Sequence, residues 1–345
     1  MNTSYSRREF LRISSAGLAS LAFRPFFGEG SDLDTGDLVR VSTNQISVYK
    51  EPSDKSSIIG QRFRNELLHI YYEVISEDGP KWNPLWYRVW GGYVHCAHTQ
   101  RVSFQLNQVL DSIPEGGQAM TVTVPFTRSM FFTKSNGWQA NYLLYEGSNH
   151  WVVDIDNGPD GEEWYVIEND LLKLNFHVRA NHLRPYLPEE LSPINPDVPL
   201  ENKRIEIDIV NQRLTAYEYD EIVLKAKVST GLLHKTLPGV VPTATPKGDF
   251  IIQSKMPSKH MGYGFLTDDP EEYVLPGVPW VSFFELENGI AIHGTYWHHN
   301  WGVPMSHGCI NMENPDAQFI YRWTAPIVEV NVWHQIGYGT RVKVY

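Results

Sequence analysis

Two short runs near the C-terminus carry the residue types that thiol chemistry needs. One reads Ile292-His293-Gly294-Thr295, the other Met305-Ser306-His307-Gly308-Cys309-Ile310-Asn311. A thiol is a weak nucleophile until it loses its proton, and a nearby imidazole can take that proton and hold the charge. Both His293 and His307 are candidates. His307 stands two positions before Cys309, which on an extended strand puts both side chains on one face. His293 ends an apolar run, Gly289-Ile290-Ala291-Ile292, that reads as a buried strand able to lie beside the Cys309 segment. Gly308 lets a backbone approach a substrate and can aim an N–H at a developing oxyanion. Gly294 frees the backbone next to His293. A base in such a pair needs an acceptor on its other ring nitrogen. No acidic residue adjoins either run, so a backbone carbonyl is the expected acceptor.

Two plainer readings compete. A lone cysteine is usually a small buried apolar residue. His293, His298, His299, His307 and Cys309 are also zinc-type donors crowded into one stretch. His298 and His299 are adjacent, however, and on a strand they point to opposite faces, which weakens a shared site. A nucleophile is therefore expected, with no metal and no cofactor.

The elements around these runs read as strands. Arg204 to Ile209 alternates strictly, Asn211-Gln212 turns, Arg213 to Tyr219 alternates back, and Asp220-Glu221 turns into Ile222 to Val228. This is a β-meander with one buried face. A helix is expected from Pro315 to Trp323, with Asn314 as its cap. Ser254 to Phe284 looks long and irregular. Its large side chains suggest a lid over the cleft, with Tyr263 and Trp280 contacting substrate. Upstream, residues 37–103 show short strands and turns, and 118–186 look like a diverged copy. Pro188, Pro193, Pro196 and Pro199 mark residues 187–202 as a stiff linker.

Composition narrows the class. The chain has 345 residues and a hydrophobic fraction of 42%, enough for more than one core. A net charge of -11 argues against nucleic acid as the main partner. Cys96 and Cys309 are the only cysteines, too few for a disulfide framework, and one bridge between them is left open. Residues 1–30 read as a twin-arginine export signal: Ser6-Arg7-Arg8-Glu9-Phe10-Leu11 precedes an apolar stretch from Ile13 to Phe23. That stretch is shorter than the roughly 20 residues a bilayer span needs. With no obvious cleavage point, the segment could remain as a membrane anchor. The expected location is the periplasm or the cell wall.

The run from Ile292 to Asn311, with Ser229-Thr230-Gly231 and Thr245-Pro246-Lys247-Gly248-Asp249-Phe250, resembles the L,D-transpeptidase (YkuD) catalytic domain over residues 203–345. Residues 37–103 and 118–186 resemble bacterial SH3-like domains more loosely. The resemblance implies a mainly β chain: a transpeptidase β-sandwich preceded by two small SH3-like β-barrels. It implies that Cys309 attacks a peptidoglycan stem peptide and passes the acyl group to an amine, forming a 3→3 cross-link. His293 would be the base, oriented by the Gly294 carbonyl. His307 and Gly308 would shape the oxyanion and substrate site, with Ser306 and Asn311 beside it. Many family members carry Arg at position 311, whereas others carry Asn as here. An L,D-carboxypeptidase would use the same residues, and a non-catalytic wall-binding protein is the rival from another class. Oligomeric state is not legible.

Overall fold

The computed structural model describes residues 37–233, 243–262 and 274–345. The export-signal segment and Tyr263 lie outside these described residues. The fold is mainly β, with several separate sheets.

Residues 37–103 form two small sheets around one core. Leu38–Val41 pairs with Leu67–His69 and Thr99–Val102, and the other five strands make the second sheet. Val39, Val41, Val48, Ile70, Val89 and Val94 fill the space between them. Cys96 is buried in this core and, like Cys309, is a free thiol. The segment 118–186 is built differently. Its strands form one seven-stranded sheet over a core of Met120, Val122, Leu144, Val152 and Tyr165. The two segments therefore differ in sheet layout, which the short alternating runs did not reveal.

Residues 187–202 are pinned rather than free. Pro188–Leu191 is a single helical turn. Arg322 donates to the carbonyls of Ser192 (2.8 Å) and Glu189 (2.7 Å), and Lys203 Nζ donates to the carbonyl of Asn195 (2.7 Å). The prolines remove internal ladder bonds, so the carbonyls turn to side chains of the next domain.

The C-terminal domain packs two five-stranded sheets face to face. The meander appears as Lys203–Asp208, Arg213–Glu218 and Glu221–Lys227. Arg341–Val344 returns parallel to Lys203–Asp208 and closes the domain. In the second sheet, Ile290–Gly294 lies between Ile310–Met312, paired parallel, and Val274–Glu285, paired antiparallel. The core holds Ile205, Ile207, Leu214 and Val342 from one sheet against Ile290, Ile292, Ile310 and Met312 from the other. Both faces of the Ile290–Gly294 strand are covered, which is why it reads as an unbroken buried run.

Two expectations need correction. The helix is Asn314–Trp323 and Glu313 is its N-cap; Asn314 instead sends Nδ2 to the carbonyl of Gly147, 2.9 Å away in the seven-stranded domain. The stretch expected to be an irregular lid is an antiparallel pair, Ser254–Gly262 with Val274–Glu285. Pro257, Pro276, Pro279 and Gly277 masked its strand character. Trp280 is not a substrate contact. It is 2% exposed and wedged between Tyr186 (centroids 4.7 Å apart) and Tyr321 (5.3 Å).

Two buried lysines fix the far end of the 314–323 helix. Lys255 Nζ donates to the carbonyls of Thr324 (2.7 Å) and Pro326 (2.9 Å), and Lys203 Nζ to that of Trp323 (3.0 Å). The Trp323 and Thr324 carbonyls lie at the negative end of the helix, where a cation is favoured.

Candidate active site

The parallel register sets Ile292 against Ile310 and His293 against Asn311. Side chains alternate along a strand. Ile290, Ile292, Ile310 and Met312 turn to the main core, so Ala291, His293, Cys309 and Asn311 share the opposite face. Two neighbouring strands thus present the cysteine and His293 on one face, with Cys309 level with Ala291 and His293 level with Asn311.

His293 is 2% exposed, and its Nδ1 lies 2.9 Å from the Gly294 carbonyl oxygen. A carbonyl only accepts, so Nδ1 carries the proton and Nε2 keeps its lone pair. Burial lowers the His293 pKa to about 4, against a smaller opposite pull from the Gly294 carbonyl. Gly294 has no room for a side chain: a Cβ there would lie 2.4 Å from Asn314 Oδ1 and 2.9 Å from Pro279 Cγ.

Cys309 is half-buried, in contact with an apolar cluster of Val278, Val281 and Ala291. Burial pushes its thiol up to about 11, and the N–H of Ala291, 3.5 Å from Sγ, pulls it down less. At neutral pH the pair is therefore an uncharged thiol and an uncharged imidazole.

The loop before Cys309 is held by the Ser229–Gly231 segment. Ser229 and Asn311 exchange both backbone bonds (3.0 and 2.9 Å), and the Thr230 carbonyl takes the N–H groups of Met305 and Ser306. Gln212 Nε2 reaches Thr230 Oγ1 at 2.7 Å. Thr245 Oγ1 accepts from the Gly231 N–H (2.9 Å) and donates to the Gly308 carbonyl (2.7 Å). Ser306 Oγ donates to the Cys309 carbonyl (2.5 Å) and accepts from the Gly308 N–H (3.2 Å). The Gly308 N–H is thus engaged inside the loop. Among the described residues no loop or turn carbonyl takes the N–H of Cys309.

His307 and Cys309 do not share a strand face. Gly308 adopts φ 118°, which turns the backbone and leaves His307 exposed. Asn311 is 2% exposed, and its amide meets His298 Nε2 at 3.0 Å. His298 Nδ1 accepts from the Asn300 N–H (3.2 Å), so Nε2 donates and the Asn311 amide turns its oxygen to the ring. With both ring nitrogens engaged, His298 has no lone pair left for a metal. Among the described residues no cluster of His, Cys, Asp and Glu could hold one.

Residues 202–344 match the family model of the L,D-transpeptidase catalytic domain. This part of the chain is a YkuD domain. No curated protein sequence matches the chain. Among solved structures it is similar to an L,D-transpeptidase from Mycobacterium smegmatis, with 25% identity and TM-score 0.32 over 42% of this chain and 58% of that one. It is also similar to L,D-transpeptidase 3 from Mycobacterium tuberculosis in complex with a faropenem-derived adduct (21%, TM-score 0.30, 41% and 60%). A third is the catalytic domain of the E. faecium L,D-transpeptidase (23%, TM-score 0.30, 42% and 98%). The chain spans 58% and 60% of the length of the two mycobacterial proteins.

Within the YkuD domain, sequence reading singled out Cys309, His293 and Gly294; the register puts Cys309 and His293 on one face, and His293 Nδ1 bonds the Gly294 carbonyl. Ser306 and Gly308 serve the loop's internal bonding, and His307 stands outside. Ser229–Gly231 and Thr245 were noted only for their resemblance, and Gln212 carried no signal because its partner, Thr230, is remote in sequence.

Proposed function

We propose that the protein is a cysteine-dependent L,D-transpeptidase acting on peptidoglycan stem peptides outside the cytoplasmic membrane. The observation that carries this reading is the tautomer of His293. Its Nδ1 is fixed on the Gly294 carbonyl, so Nε2 is free to act as a base on the face it shares with Cys309. In this mechanism Nε2 takes the thiol proton as Sγ attacks the carbonyl of the third stem residue. The oxyanion forms beside the N–H of Cys309. The imidazolium then gives its proton to the departing amine, terminal D-alanine leaves, and a thioester remains. An amine from a neighbouring stem loses its proton to Nε2, attacks the thioester and restores the thiol, which yields a 3→3 cross-link. The paired arginine and short apolar stretch of residues 1–30 support export.

The test is mass spectrometry of the purified protein incubated with a tetrapeptide-stem muropeptide. The expected result is an acyl adduct on Cys309, absent from Cys309→Ala, and a cross-linked product when an acceptor stem is present. An adduct that survives Cys309→Ala would refute the mechanism. Release of tripeptide alone would assign water as the acceptor, which is the carboxypeptidase reaction.

A further inference from the structure

Residues 295–301 follow His293 and lead toward Cys309, and they are held from outside the YkuD domain. Asn83 of the 37–103 domain donates Nδ2 to the His299 carbonyl (2.9 Å) and to Asn300 Oδ1 (3.3 Å). The His299 N–H reaches the Ala97 carbonyl at 2.9 Å. Arg40, 1% exposed, donates Nη2 to the Tyr296 carbonyl (3.4 Å). Its guanidinium also lies 3.9 Å over the ring of Tyr145, in the seven-stranded domain.

Two lines of contact run inward from these grips. Tyr296 packs on Trp297 (5.0 Å between centroids) and Trp297 on His293 (5.8 Å). Asn300 donates its N–H to His298, whose ring meets Asn311, two residues beyond Cys309. One line ends on the base and the other on the nucleophile's strand.

Arg40 makes this more than domain docking. It is a buried cation that forms no ion pair among the described residues and is satisfied by neutral oxygens, Gln100 Oε1 at 2.6 Å and Asn65 Oδ1 at 3.3 Å among them. Burying a charge this way is costly unless its hydrogen bonds are well made. A wall-binding module on a tether has no need of such a contact.

We propose that the 37–103 domain is a working part of the active site, with Asn83 and Arg40 as positioning residues that hold residues 295–301 and so set His293 against Cys309. This rests on the transpeptidase reading above. The test compares the full chain with Asn83→Ala, Arg40→Lys and, as an exposed control on the same domain, Trp90→Ala. Two quantities are read: turnover of stem tetrapeptide, and the rate at which iodoacetamide alkylates Cys309. A misplacement of about 1 Å costs on the order of 100-fold in rate. Asn83→Ala and Arg40→Lys are therefore expected to lose about 10- to 100-fold in kcat and in alkylation rate, with KM within about 2-fold. Trp90→Ala matches the parent in both. A folded Asn83→Ala protein with parental kcat and alkylation rate overturns the proposal, as does a loss carried wholly by KM. If the parent alkylates at Cys309 yet turns over no stem peptide, the transpeptidase reading fails, and the alkylation comparison alone then decides the positioning role.

Discussion

Thr245 offers a sharp test of how the cysteine loop is held. Its hydroxyl bridges the Gly231 N–H (2.9 Å) and the Gly308 carbonyl (2.7 Å), and the residue is 5% exposed. Thr245→Val keeps the shape and removes the hydroxyl, leaving a buried donor and a buried acceptor unpaired. Each such group costs about 1–3 kcal/mol, so the variant should lose about 2–6 kcal/mol of stability. The activity loss should be larger than stability alone explains. Once the Gly308 carbonyl is released, the Gly308–Cys309 peptide can rotate and the Cys309 N–H no longer faces the oxyanion. Loss of one such donor typically costs about 100- to 1,000-fold in kcat. Thr245→Ser keeps both bonds and loses only a methyl, worth about 1 kcal/mol. The assays are urea unfolding and the rate of Cys309 acylation by muropeptide, followed by mass. If Thr245→Val and Thr245→Ser agree in both, the bridge does not order the site and the reasoning is wrong.

Other outcomes follow from the same geometry. Gly294→Ala should slow acylation by about 10- to 100-fold, because a Cβ 2.4 Å from Asn314 Oδ1 must displace the carbonyl that orients His293; unchanged acylation kinetics would contradict this. The acid limb of kcat/KM should report a pKa near 4 rather than 6.5, since His293 works only when neutral and burial lowers its pKa to about 4; a limb at 6.5 would mean the base is exposed in the working enzyme. Stability should fall on acidification. His150 and His298 (about 3) and His293 (about 4) are buried neutral, so the unfolded chain binds more protons than the folded one. Their contribution is intact above pH 6.5 and is lost from there down to the folded pKa values, at up to about 1.4 kcal/mol per pH unit for each histidine. Urea midpoints at pH 7, 6 and 5 measure it, and a flat series would contradict the burial argument. Trp280→Ala should cost about 3–5 kcal/mol in unfolding experiments; a raised KM at full stability would instead restore it to the cleft.

Much of the site was legible because its parts lie in two short runs, and the two runs lie on strands that pair in register. The His293 strand showed itself by its unbroken apolar run, and the missing carboxylate pointed to a backbone carbonyl as acceptor, which only the family resemblance named as that of Gly294. What failed were inferences that assumed regular extension. His307 looked closest to Cys309 because i and i+2 share a face on a strand, but φ 118° at Gly308 ends the strand there. Trp280 looked like a lid residue because it lies in a long stretch rich in large side chains that reads as irregular. It adopts φ 59°, packs against Tyr186 and Tyr321, and joins two domains. Arg40 and Asn83 gave no warning. Their partners are remote in sequence, and a charged residue inside Val39-Arg40-Val41 reads as an ordinary solvent-facing position.

The uncharged state of the Cys309–His293 pair has a consequence for where the rate comes from. A thiolate–imidazolium pair formed in advance would react at once with any electrophile or oxidant that reached it. Here burial moves the two pKa values apart, to about 11 and about 4, so the resting thiol is protected. The charge must then be created during attack. Only fixed dipoles can stabilise it quickly: the Gly294 carbonyl on the imidazolium and the Cys309 N–H on the oxyanion. Both dipoles sit on backbone whose position is set by neighbours, Asn314 against Gly294 and Thr245 on Gly308. The unreactive resting thiol and the demand for a rigid surround are therefore one property. It follows that changes which loosen the loop should lower turnover on the stem peptide without making Cys309 more open to oxidation.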